Sequence, residues 1–190
     1  MDIVAADKGK PMAENKHICL ALGGARSGKS DFAESTALSL AEDHGQSAVY
    51  VATGQAFDDE MKARIKRHLD RRDDRFATIE EPLDLVSVLK NHNSNHVLLI
   101  DSIGVWITNL MINELDVDQI MAETLAAIKE TEASVVLVSD EIGMGIVPEG
   151  AMSRAFRDHI GLMNQNVASL ADRVAFLVAG LPMIIKSDEN

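Results

Sequence analysis

The run "GGARSGKS" places Gly23, Gly28, Lys29 and Ser30 at the spacing G-x-x-x-x-G-K-[ST]. Each fixed position has a physical reason. Glycines let the backbone take unusual dihedrals and approach a ligand closely, so that successive N–H groups form a cradle for a phosphate. The lysine reaches the β- and γ-phosphates, and the Ser30 hydroxyl is a ligand for Mg2+. A loop of this kind works with an acid near the same metal, at the end of a neighbouring strand. Asp101, which closes the apolar run "HVLLID", is the first choice, and Asp140, which closes "VVLVSD", is the second. Either acid could instead cap the helix that follows it.

A histidine offers a second chemistry. Glu60, Arg64 and His68 are four residues apart in a stretch that reads as a helix over 58–72, so they share a face, with Arg71 and Arg72 in the next turn. A neutral imidazole among guanidinium groups can attack a phosphorus, because the cations offset the anionic charge that would repel it. They also disfavour protonation of the ring. Spacing alone favours the plainer reading, a surface histidine at a basic helix end. His92 and His96 are also four apart, but within the polar string "NHNSNH" and with no third ligand, which reads as a solvated loop. His17, His44 and His159 belong to no constellation, and Trp106 and Phe156 read as core or interface residues.

These residues need elements to position them. "HICLAL" (17–22) reads as a strand feeding the loop, and 29–43 as a helix with an apolar stripe of Phe32, Ala33, Ala37, Leu40 and Ala41, stopped at Gly45. "SAVYVAT" (47–53) reads as a second strand. Pro82 opens a helix running to about Lys90, and 96–101 forms a third strand. Helices follow over 103–114 and 118–131, then a strand over 134–140 and the glycine-rich loop "EIGMGIVPEG". A long helix over 152–171 and a final strand over 173–180 complete the pattern. Continuous apolar strands separated by helices imply a mostly parallel sheet covered on both faces. The expected fold is therefore a single α/β domain over 17–190, after an N-terminal extension of 1–16 expected to be mobile.

The whole chain bounds the function. Its 190 residues can bury a substantial core, and 46% hydrophobic with 25% charged residues is an ordinary globular balance. With 18 basic and 30 acidic side chains the net charge is −12, which argues against broad binding to nucleic acid. The single cysteine, Cys19, supports neither a disulfide framework nor a thiolate zinc site and reads as a small buried hydrophobe. No apolar run reaches the ~20 residues of a membrane span. The polar N-terminus lacks the apolar core of a signal peptide, so a cytoplasmic location is expected.

Beyond the generic loop, the chain resembles the bifunctional adenosylcobinamide kinase/adenosylcobinamide-phosphate guanylyltransferase family. The resemblance is carried by "GGARSGKSDFAE", "YVATGQAFDDEMKARIKRH", "LLIDSIGVWITNLM", "VVLVSDEIGMGIVPEGAMSRAFRDHIGLMNQNVASLAD" and "VAGLPMIIK", from about Ile18 to Lys186. It implies a RecA-like P-loop fold and two reactions. A nucleoside triphosphate, ATP or GTP, phosphorylates the aminopropanol arm of adenosylcobinamide. GTP then gives GMP to that phosphate through a covalent guanylyl-histidine, which matches His68. The resemblance further implies nucleotide contacts at Gly23, Gly24, Ala25, Arg26, Ser27, Gly28, Lys29 and Ser30. It adds contacts at Ala52, Thr53 and Gly54, at Glu80 and at Asp101. Lys29 and Asp101 would share in catalysis, Ser30 and Asp101 would hold Mg2+, and the molecule would be a homotrimer. Departures exist: Asp73 and Phe76 stand where the family has a proline and a tryptophan, and "SIGVW" replaces a Thr-rich run. Two rivals remain open: a member retaining one of the two activities, and a P-loop nucleotide switch that controls a partner.

Overall fold

The computed structural model describes residues 16–55 and 73–187. The helix read over 58–72, with His68, lies outside the described residues, as does the extension except for Lys16. Seven strands form one sheet in the order β3-β2-β4-β5-β1-β6-β7. Six of them are parallel: β1 (Ile18–Gly23), β2 (Ser47–Ala52), β3 (Ala77–Glu80), β4 (His96–Asp101), β5 (Ser134–Asp140) and β6 (Arg173–Val178). The seventh, β7 (Leu181–Lys186), runs antiparallel to β6 at the sheet's edge.

The parallel strands are apolar on both faces because helices cover both. On one face, Cys19, Ala21, Tyr50, Val97, Leu99, Val136 and Val138 pack against α1 (Lys29–His44), whose small Ala33, Ala37 and Ala41 let the helix lie close to the sheet. On the other, Leu20, Val49, Val51, Leu98, Ile100, Val135 and Leu137 pack under the remaining helices. These are α2 (Leu85–Lys90), α3 (Ile103–Ile112), α4 (Val117–Glu130) and α5 (Ala151–Leu170). Alternation along each strand divides the two cores, and each fully buried Leu or Val contributes roughly 1.5–3 kcal/mol. Cys19 is buried, as a small hydrophobe would be, and burial pushes its thiol up to about 11.

Several boundaries shift for identifiable reasons. Helix α2 begins three residues after Pro82, because the Asp84 carboxylate caps it by accepting from the Ser87 amide at 2.9 Å. In α1 the buried stripe includes Leu38, while Phe32 and Leu40 are only partly buried. The strand read over 173–180 ends at Val178, where Ala179 (φ 52°) and Gly180 (φ 81°) reverse the chain into β7. Thus the chain has a further strand after the one expected to be last. Strand β3 was likewise not anticipated. The long helix and both central strands fall within one residue of their expected spans.

Candidate active site

Parallel strands deliver all their carboxyl ends to one edge of the sheet, and in open α/β sheets ligands bind there, where successive connections diverge. The divergence here is at β1. Its crossover through α1 leads past β5 and β4 to β2, whereas β5 returns through α5 to β6 on the other side of β1. Register aligns the ends: Gly23 lies beside Asp140, and Ala52 beside both Asp101 and Glu80. The predicted loop, the "ATG" turn and both strand-end acids therefore share one edge.

The loop between β1 and α1 is shaped by two glycines. A Cβ at Gly23 would strike the Ser27 hydroxyl and stand 2.8 Å from the Leu177 carbonyl. Gly28 has φ +92°, and a Cβ there would come within 3.1 Å of the Gly180 Cα. The Gly180 amide also donates to the Ser27 carbonyl at 2.9 Å. The β6–β7 turn is thus a brace under the phosphate loop. No side chain caps the start of α1, so its first amides and its positive end face the loop. Ala25 and Arg26 are exposed, Gly24 and Ser30 are half-buried, and Arg26 takes φ 56°.

Lys29 folds back over this loop. Its ammonium donates to the Gly24 carbonyl at 3.1 Å and pairs with Asp140 Oδ1 at 2.8 Å. Asp101 has a different partner: the Tyr50 hydroxyl donates to its Oδ2 at 2.8 Å. Neither acid is a helix cap. Ser102 caps α3, accepting from the Val105 amide, and α5 begins only after Gly150. A hydroxyl and a carboxylate, Ser30 and Asp101, are the hard oxygen donors that suit Mg2+, which takes most of its other ligands from water and phosphates.

Thr53 is held at each polar atom. Its amide donates to the Asp101 carbonyl, and its hydroxyl donates to the Ser102 carbonyl and accepts from the Ser102 amide. Its carbonyl accepts from Asn109 Nδ2 at 2.7 Å, and the same Nδ2 reaches the Pro82 carbonyl at 3.1 Å. Asn109 is buried, and it joins the "ATG" turn to the segment after β3. Ala52 and Gly54 flank Thr53, and Glu80 is exposed at the end of β3. Reading from the sequence missed Tyr50, Asn109 and Gly180. Only Gly180 carried a signal, as the glycine closing the strand expected over 173–180.

The phosphate loop, the switch at β1 and the helices on both faces define a P-loop α/β nucleotide-binding fold. Solved structures agree at the level of fold. One solved ATPase domain superposes with TM-score 0.53 at 12% identity, over 93% of this chain and 78% of that one. The flagellar accessory protein FlaH from Methanocaldococcus jannaschii gives 0.50 at 16%, over 91% and 79%. The sequence is more specific. The family model described as cobinamide kinase/cobinamide phosphate guanyltransferase matches residues 19–185, and the chain belongs to that family of adenosylcobalamin-biosynthesis transferases. The bifunctional adenosylcobalamin biosynthesis protein CobP of Pseudomonas aeruginosa is 41% identical, over 89% of this chain and 97% of the relative. CobU of Escherichia coli, named likewise as bifunctional, is 39% identical over 88% and 98%.

Proposed function

We propose that this chain phosphorylates adenosylcobinamide with a nucleoside triphosphate and then transfers GMP from GTP to adenosylcobinamide phosphate, releasing pyrophosphate. The observation that carries the reading is an intact phosphate loop in a chain that matches, nearly end to end, relatives named as bifunctional. In the first step, Lys29 and the loop amides orient and neutralise the triphosphate while the substrate hydroxyl attacks the γ-phosphorus; the new O–P bond forms as the bond to the departing nucleoside diphosphate breaks, and the hydroxyl proton passes to Asp101 or to solvent. Mg2+, held by Ser30 and Asp101, would neutralise phosphate oxygens. In the second step, a ring nitrogen of His68 attacks the α-phosphorus of GTP. The N–P bond forms as the bond to pyrophosphate breaks. An oxygen of the substrate phosphate then displaces the imidazole and takes the GMP. Gly23 to Ser30, Ala52 to Gly54, Glu80 and Asp101 contact the nucleotide in this reading.

Residues 17–190 would form the catalytic domain, placed in the cytoplasm. Among the described residues no helix is long and apolar enough to cross a membrane. The reading includes a homotrimer. Val178, Leu181, Met183 and Ile185 leave an apolar edge on β6–β7 that is 50–72% exposed, the kind of surface another copy covers. Light scattering should give three times the chain mass, and a monomer would remove that part.

GTP labelled at the α-phosphate tests the chemistry. Wild type should gain an acid-labile, base-stable label, and His68→Ala should gain none. Label on the variant, or none on wild type, rules out the histidine intermediate. Assaying kinase and transferase steps separately distinguishes the bifunctional enzyme from a member with one activity.

A further inference from the structure

The ammonium of Lys29 is balanced by a carboxylate, and that carboxylate is fixed from several sides. The backbone of Asp140 is tied down by Asn164 Nδ2, which donates to its carbonyl at 3.1 Å. The next amide, of Glu141, donates to the Gly23 carbonyl at 3.1 Å. These two bonds tie the end of β5 to α5 and to the phosphate loop. The side chain then fits against the start of α3, where Gly104 leaves room for it. A Cβ at Gly104 would stand 2.7 Å from Asp140 Oδ2 and 3.2 Å from Ile160 Cδ1. The helix start that Gly104 occupies favours a negative charge. Lys29 and Asp140 are only 13% and 30% exposed, so solvent screens the pair weakly.

We propose that Asp140, seated by Gly104, is the positioning residue of the phosphate-loop lysine and sets the charge of nucleotide that the site accepts. The inference rests on the phosphate-loop reading above and adds a residue to it. A triphosphate in the loop brings its outer phosphates to Lys29 and so to within a few ångströms of the Asp140 carboxylate. That carboxylate repels a bare triphosphate more than one already neutralised by a divalent cation. Asp140 therefore weakens binding of the bare nucleotide most. In return it holds the lysine in one direction for phosphoryl transfer.

Asp140→Asn keeps the shape and an oxygen that accepts from Lys29, and removes only the charge. GTP affinity is measured by calorimetry in EDTA and again with excess Mg2+. In EDTA the variant should bind about tenfold more tightly than wild type, and with Mg2+ only about threefold. Its kinase kcat should fall about tenfold while KM for nucleotide falls, a split that loss of packing does not produce. Gly104→Ala pushes the carboxylate aside and should shift the ratio of the two affinities in the same direction. Placed on Asp140→Ala, Gly104→Ala should not move that ratio. Weaker binding by Asp140→Asn only when Mg2+ is present would make Asp140 a metal ligand and overturn the proposal. Equal weakening in both conditions, or no change in either, would also overturn it. Should Asp140→Asn fail to fold, the Gly104→Ala ratio decides in the same way. Lys29→Ala separates the two levels: if it binds GTP as wild type does, the phosphate-loop reading itself fails.

Discussion

Asp101 and Asp140 end neighbouring parallel strands at one edge of the sheet, and both are half-buried. Their partners differ. Asp101 accepts from a neutral phenol, the Tyr50 hydroxyl. Asp140 is matched by the ammonium of Lys29. Two acids of one type, in equivalent positions of the fold, are thus given different work by the side chains set opposite them. Tyr50 comes from the face under α1, and Lys29 comes from the first turn of α1 itself.

Removing the lysine erases this difference and should have the largest effect. In Lys29→Ala, Asp140 becomes an uncompensated charge facing the phosphates, and the loop loses its cation. Kinase kcat/KM should fall a hundredfold or more, comparable to losing a main transition-state donor. Steady-state assays read this directly, and a loss below tenfold would remove the lysine from the mechanism. Asp101→Asn comes next. It keeps an acceptor for the Tyr50 hydroxyl but removes the negative charge and one carboxylate oxygen from the set proposed for Mg2+. The kinase rate should fall at least tenfold, and the Mg2+ concentration for half-maximal rate should rise. An unmoved Mg2+ midpoint would show that Asp101 is not the metal-linked acid, and the contrast with Asp140 would then rest on geometry alone.

The parts of this site that were legible in the sequence are those whose signal is local. Strands β4 and β5 have the expected bounds because each is a continuous apolar run closed by an acid. The loop is legible because its glycines, lysine and serine fall within eight consecutive residues, although the close approaches that Gly23 and Gly28 permit, to Leu177 and Gly180, are long-range. Strand β3, "ATIE", is short and largely exposed, and β7, "LPMIIK", contains a proline and is exposed along its length at an edge. Neither has the periodicity that marks a buried strand, and Pro182 is tolerated only because β7 is an edge. Tyr50 looked like one more apolar position of "SAVYVA". That its hydroxyl meets Asp101 follows from the pairing of β2 with β4, which a pattern within β2 does not contain. Asn109 sits within an apolar helix and meets Thr53 and Pro82 only once the fold closes separations of 56 and 27 residues. His68 is expected from resemblance alone, and its segment lies outside the described residues.

The smallest expected effect gives the sharpest test of the contrast. Tyr50 is 3% exposed, and its ring packs edge-on against Phe76 with centroids 5.7 Å apart. Tyr50→Phe keeps that ring and removes only the hydroxyl bonded to Asp101. A hydrogen bond to a charged group contributes about 1.5–3 kcal/mol, so the melting temperature should fall by roughly 3–12 °C. The Asp101 carboxylate loses a restraint on its direction, not its charge. The Mg2+ midpoint should therefore move two- to threefold, less than in Asp101→Asn. GTP affinity in EDTA should stay within about twofold of wild type, because Lys29 and Asp140, the pair that governs it, keep their own bond at 2.8 Å. If Tyr50→Phe changed metal-free affinity as much as Asp140→Asn does, the two acids would act as one charged cluster. The separation of their tasks by partner would then be wrong, whatever the distances between them.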